Sequence, residues 1–227
     1  MIDTLLSTPL FGLTLTCVCW CAGIWLQKKT GWELCNPLLI AVALILCVLS
    51  VCNIPYETYN EGGQLITLLL GPATAVLALN IYRQRALLKE YFLPVLIGCL
   101  AGVLSSLGII LLLCKLFTLP DVLAVSLLPK SVTTAIAIGI AESRGGVAGI
   151  AIAGVTVAGL TGMVFSPLFA KLFHIQDPIA EGLAIGASSH ALGTTKAMKI
   201  GSVQGAMSSI ALCVCGIITS LITLFLV

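Results

Sequence analysis

The stretch VLAVSLLPKSVTTAIAIGIA, residues 122–141, decides the fold. It is apolar at both ends and long enough to cross a bilayer as a helix of ~20 residues. Yet Pro129, Lys130, Ser131, Thr133 and Thr134 occupy its middle. Hydrocarbon offers no water to a broken turn or a lone ammonium, so such groups must face protein or a wet cavity. Two other apolar runs carry comparable strings: Gly71-Pro72-Ala73-Thr74, and Ser188-Ser189-His190-Ala191-Leu192-Gly193-Thr194-Thr195.

The whole chain shares this character. Of its 227 residues 59% are hydrophobic and 9% charged, with a mean hydropathy of +1.15. A soluble domain carries nearer ~25% charged residues, so the chain is expected to be an all-α polytopic membrane protein. Polar interruptions divide it into about eight runs: 8–26, 37–52, 64–81, 91–114, 122–141, 146–165, 179–197 and 205–226. Short connections predict a single transmembrane domain over residues 1–227. Met1-Ile2-Asp3-Thr4 places an acid where a secretory signal needs cations, so the first run reads as a retained span. Glu57 and Glu61 read as solvated acids of an outside loop before the third run.

Cations orient the set, because cytoplasmic loops are enriched in Lys and Arg. With both termini outside, Lys28, Lys29, Arg83, Arg85, Lys89, Arg144, Lys196 and Lys199 fall inside and only Lys115 and Lys171 outside. Each polar string then begins seven to nine residues after its run enters the membrane. At ~1.5 Å per residue that is ~10–14 Å deep, near the middle of a ~30 Å core. Leu69-Leu70-Gly71-Pro72-Ala73-Thr74 and Leu127-Leu128-Pro129-Lys130-Ser131 also resemble one another, which suggests an internal repeat.

The strings supply the candidate site. Pro72 and Pro129, with Gly71 and Gly193, are expected to break their spans near the midplane. A helix restarting after a break offers free N–H groups and a positive dipole end to an anion. Lys130, Thr133 and Thr134 would share one helical face, with Ser131 pairing to Thr134, and His190 would face the same way as Thr194. The candidate binding set is therefore Thr74, Lys130, Ser131, Thr133, Thr134, Ser188, Ser189, His190, Thr194 and Thr195. Gly98, Gly102, Gly154, Gly159, Ser208 and Ser209 read as helix-packing residues.

Other chemistries find little support. A net charge of +2 without a basic cluster does not point to nucleic acid. Nearly all of the ten cysteines lie in apolar runs and read as small hydrophobes, so no metal or other cofactor is expected. His174 and His190 form no zinc-protease pattern, and neighbouring Ser189 and His190 diverge rather than pair as nucleophile and base. No enzymatic activity is expected.

These motifs carry a resemblance. The segments 69–74 with Tyr82-Arg83-Gln84, 127–134, 182–194 and Gln204-Gly205-Ala206-Met207-Ser208-Ser209 resemble the LrgB/CidB family of bacterial membrane proteins. The chain is also similar to the membrane half of the plastid glycolate/glycerate translocator. Ala135 stands where the family usually has proline, so the bend after Thr134 is expected to be gentler. The resemblance implies a multi-pass protein of the bacterial inner membrane. Residues and resemblance together lead to a secondary transporter of small monocarboxylates, of the glycolate, glycerate, pyruvate or lactate class, working by alternating access as a homo-oligomer. The alternative it implies is a holin/antiholin-like regulator of murein hydrolase export and autolysis, acting with a small LrgA/CidA-type membrane partner.

Overall fold

A computed structural model describes residues 8–31 and 35–226, without the side chains of residues 74, 77, 80, 81 and 226. The reading of Met1 to Thr4 and the side chain of Thr74 therefore lie outside the described residues. Among those residues every regular element is a helix, and the chain divides into two compact units, Met1–Ala73 and Thr74–Val227.

The first unit holds α1 (Pro9–Thr30), α2 (Pro37–Val51) and α3 (Tyr56–Thr67). Pro9 and Pro37 open their helices, where a missing N–H costs nothing. Asn36 caps α2 by accepting from the Leu38 N–H at 2.8 Å. Gly31 ends α1 at φ 68°, a left-handed conformation that glycine adopts freely. Cys19, Ala41, Ile45 and Leu49 form the core of this unit. Gly12 and Gly62 let α1 and α3 touch backbone to backbone, since a Cβ on either would run into the other helix. The Thr16 and Tyr59 hydroxyls bond across that contact at 2.9 Å. The region expected as an outside loop around Glu57 and Glu61 is thus helical: both acids are exposed on α3, whose opposite side packs on α1.

Two turn residues, 68 and 69, separate α3 from α4 (Leu70–Arg83), which crosses the division between the units and is followed by α5 (Arg85–Glu90). Gly71 and Pro72 sit in the first turn of α4, after the interruption rather than within it.

The second unit contains α6 (Phe92–Leu116), α7 (Asp121–Leu127), α8 (Thr134–Ser143), α9 (Ala148–Leu172), α10 (Pro178–Ile200) and α11 (Ser202–Leu226). On α6, residues 95, 99, 103, 107, 110 and 114 recur at helical spacing and bury one stripe. That stripe packs with Met207, Ile210, Ala211 and Cys215 of α11. Consecutive α10 and α11 pack closely along their length. At Gly182 and Gly186 an added Cβ would strike the α11 backbone at Gln204 and Ser208. Ser126, buried near the end of α7, accepts from the Val147 N–H at 2.8 Å and donates to the Val122 carbonyl at 2.6 Å, which ties the start of α9 to α7.

Helices α1, α6, α9 and α11 are long and apolar enough to cross a bilayer, and α2 and α8 are shorter apolar helices.

Candidate functional site

Helix α7 ends at Leu127 and α8 begins at Thr134, so residues 128–133 form a non-helical connection inside the run quoted at the outset. Pro129 is fully buried within it. Because the backbone here is not helical, Lys130, Thr133 and Thr134 do not share a helical face as the spacing predicts, and Ser131 does not pair with Thr134. The Lys130 ammonium instead donates to Ser131 Oγ at 3.2 Å and to Ser106 Oγ of α6 at 2.9 Å, and the two serine oxygens lie 2.9 Å apart. Among the described residues no carboxylate pairs with Lys130. Thr133 caps α8 without a side-chain cap bond, and its buried hydroxyl has no partner.

The third string also departs from a regular helix, at a different residue from the one expected. His190, not Gly193, carries the non-helical backbone, with φ 41° and ψ −134°. A non-glycine residue held there costs ~1–3 kcal/mol. Gly193 is helical and buried. The bend brings Ser189 Cβ to 2.5 Å from where a Cβ on residue 193 would stand. Glycine therefore accommodates the bend one turn later rather than causing it.

His190 is 2% exposed and bonds through Nε2 to the Val155 carbonyl of α9 at 2.8 Å. A carbonyl only accepts, so Nε2 carries the proton. Ser189 is fully buried and bonds to Ser188 Oγ at 2.9 Å, while Ser188 also donates to the Ala184 carbonyl at 2.8 Å. Thr194 donates to the His190 carbonyl at 2.8 Å and pairs with Ser208 of α11 at 2.9 Å. Thr195 is exposed and bonds back to the Leu192 carbonyl.

Helix α9 makes room for both irregular segments. A Cβ at Gly154 would touch Leu127 and Lys130, one at Gly159 would strike the His190 ring, and one at Gly162 would strike the Ser189 side chain. Two cavities flank α10. The larger, about 980 Å³, runs along α9 and includes Lys130, Ser188, Ser189, Thr161 and Ser166 in its lining. The smaller, about 450 Å³, lies against α6 and is lined in part by Gly98, Gly102, Ser106, Lys130, Ser131 and Ser188. Lys130 and Ser188 thus face both. The structure gathers Lys130, Ser131, Ser188 and Ser189 around these spaces. His190, Thr133, Thr134, Thr194 and Thr195 line neither.

Ser106, Ser208 and the recesses at Gly159 and Gly162 were not singled out as site elements in the sequence. Ser106 had a visible signal, since Ser105-Ser106 interrupts run 91–114 as the three strings interrupt theirs. The partners of Gly159 and Gly162 depend on helix register, which no local pattern encodes.

Among the described residues, four long apolar helices and an interrupted helical segment holding a lysine without a counter-ion define a multi-pass helical membrane protein. The chain belongs to the LrgB-like family, whose model matches residues 16–227. It is 36% identical over 216 residues to the antiholin-like protein LrgB of Bacillus subtilis (strain 168), covering 95% of this chain and 94% of that one. Identity to the proteins of the same name from Bacillus mycoides (strain KBAB4) and Bacillus cereus (strain B4264) is 36% over 213 residues, covering 93% of each chain. These names describe no enzyme. No solved structure matches the chain.

Proposed function

We propose that this protein is an antiholin-like membrane regulator that restrains murein hydrolase export and autolysis, working with a small LrgA/CidA-type partner in the bacterial inner membrane. One observation carries this reading: 36% identity across 95% of the chain to a protein named antiholin-like. The residues alone rank transport first, and the relatives reverse that order. Eight membrane passes, interruptions near the midplane, an internal repeat, a single domain over residues 1–227 and a homo-oligomer belong to the same proposal. The test is expression, with and without an LrgA/CidA-type partner, in a bacterium lacking its own pair. Secreted murein hydrolase activity and the rate of lysis should both fall. Unchanged lysis with both proteins inserted refutes the reading.

A second reading, secondary transport of a small monocarboxylate, is favoured by the Lys130 cluster. An ammonium that among the described residues is held by hydroxyls alone, beside two cavities, is suited to receive an anion. Lys130→Ala separates the two readings. Transport predicts that proteoliposome uptake of labelled pyruvate, glycolate or glycerate disappears while insertion is normal. A regulator that acts only through its partner predicts unaltered lysis control.

A further inference from the structure

The hydrogen-bond inventory around Lys130 does not close. An ammonium has three N–H donors, and protein oxygens take two of them, Ser106 Oγ and Ser131 Oγ. The two hydroxyls supply two more hydrogens, of which one bridges the serines at 2.9 Å. The other hydroxyl hydrogen and the third ammonium hydrogen have no protein acceptor among the described residues. Two unused donors and one positive charge thus sit within a triangle of atoms no more than 3.2 Å on a side. All three side chains line the smaller cavity. On the α6 side its floor is Gly98 and Gly102, where an added Cβ would reach Leu183 and Ala187 of α10.

We propose that Ser106 is a ligand-binding residue, which with Lys130 and Ser131 forms a two-donor cradle for one carboxylate group in the smaller cavity. The proposal rests on the transport reading and adds to it a residue from a different helix. The two oxygens of a carboxylate match the two free donors, one charge-assisted and one neutral. Either serine can donate the bond they share; with Ser131 donating it, the hydroxyl hydrogen left for the ligand is that of Ser106, which then does more than satisfy the lysine.

The experiment uses the full chain in liposomes, with labelled pyruvate as probe and its uncharged amide as competitor. Wild type should bind pyruvate and discriminate against the amide. Ser106→Ala should weaken pyruvate binding roughly tenfold or more and reduce that discrimination, whereas Ser106→Thr, which keeps the hydroxyl, should stay close to wild type. Because the half-buried ammonium keeps Ser131 and faces the cavity, the unfolding midpoint of Ser106→Ala should change little. If Lys130→Gln abolishes binding while Ser106→Ala binds like wild type, the assignment of Ser106 is overturned and the anion site at Lys130 stands. If pyruvate and amide binding weaken together along with the unfolding midpoint, Ser106 only supports the fold and the assignment again fails. If folded wild type binds no pyruvate, or Lys130→Gln binds it normally, both the cradle and the transport reading fall.

Discussion

Replacing Gly159 by alanine should destabilise the protein through a single contact, and the size of the effect can be worked out in advance. The added Cβ would stand 2.5 Å from His190 Cε1 and 2.8 Å from Nε2. The imidazole cannot swing away without losing its 2.8 Å bond to the Val155 carbonyl. Steric overpacking costs about 1–3 kcal/mol, and an unsatisfied buried donor costs about 1–3 kcal/mol more. The gain in helix propensity from glycine to alanine returns about 1 kcal/mol. Taking the middle of each range, the net loss is about 3 kcal/mol. For a chain of this size that lowers the unfolding midpoint by roughly 6–12 °C. None of the three tryptophans, at positions 20, 25 and 32, lies within the α9 sequence, so the probe is taken from the second unit itself. Cys99, Cys114, Cys213 and Cys215 are buried in the second unit, and a thiol-reactive fluorogenic dye in detergent will read their exposure on heating. The control is the same change in a His190→Ala background. There the nearest remaining atom is Leu192 Cδ1 at 2.9 Å, the end of a flexible side chain. Gly159→Ala should then be neutral or stabilising by up to about 1 kcal/mol. Equal destabilisation in both backgrounds would refute the contact with His190 as the cause.

Two further changes probe how the site is framed. Gly186→Ala directs a Cβ at the Ser208 backbone and Ala211 Cβ of α11, neither of which can rotate away. It should cost about 1–3 kcal/mol in the same thiol assay, and a neutral result would mean that Gly186 does not set the spacing of α10 and α11. Ser126→Ala removes the acceptor of the Val147 N–H and should cost about 1–3 kcal/mol. Faster amide exchange over residues 144–150, measured by mass spectrometry, checks it; unchanged exchange would show that α9 begins where it does without help from α7.

The helical membrane class was legible because it depends on composition and run length, which are local. The Pro129 interruption was legible for a similar reason: proline removes a backbone donor and crowds the preceding turn wherever it falls. Side-chain directions were less accessible. Placing Lys130 with Thr133 and Thr134 assumed an ideal helix through residues that are not helical, so the lysine's partners proved to be Ser131 and a serine of another helix. The break assigned to Gly193 failed because a flexible residue permits a bend without fixing its position. The bend falls at His190, where a hydrogen bond to α9 holds a strained backbone that its own sequence would not choose. Glu57 and Glu61 looked like loop acids because α3 is too polar for a span, yet an amphipathic helix needs only one packed side.

Helix α9 explains why the two irregular segments act as neighbours. Gly154 faces the Lys130 turn, while Gly159 and Gly162 face His190 and Ser189. The recesses are five and three residues apart along one helix, so they fix its register against both segments together. A slip of one residue along α9 would bring Leu160 and Met163 toward positions crowded by His190 and Ser189, and Val155 toward Leu127 and Lys130. Such a slip would also carry the Val155 carbonyl away from His190 Nε2. A movement of α9 that relieved the strain at His190 would therefore disturb the packing under Lys130, and a shift of the Lys130 turn would press on the same helix. That mechanical link requires no polar contact between the lysine and the histidine. It gives the buried His190, which lines neither cavity, a physical route by which to influence the geometry of the Lys130 cluster.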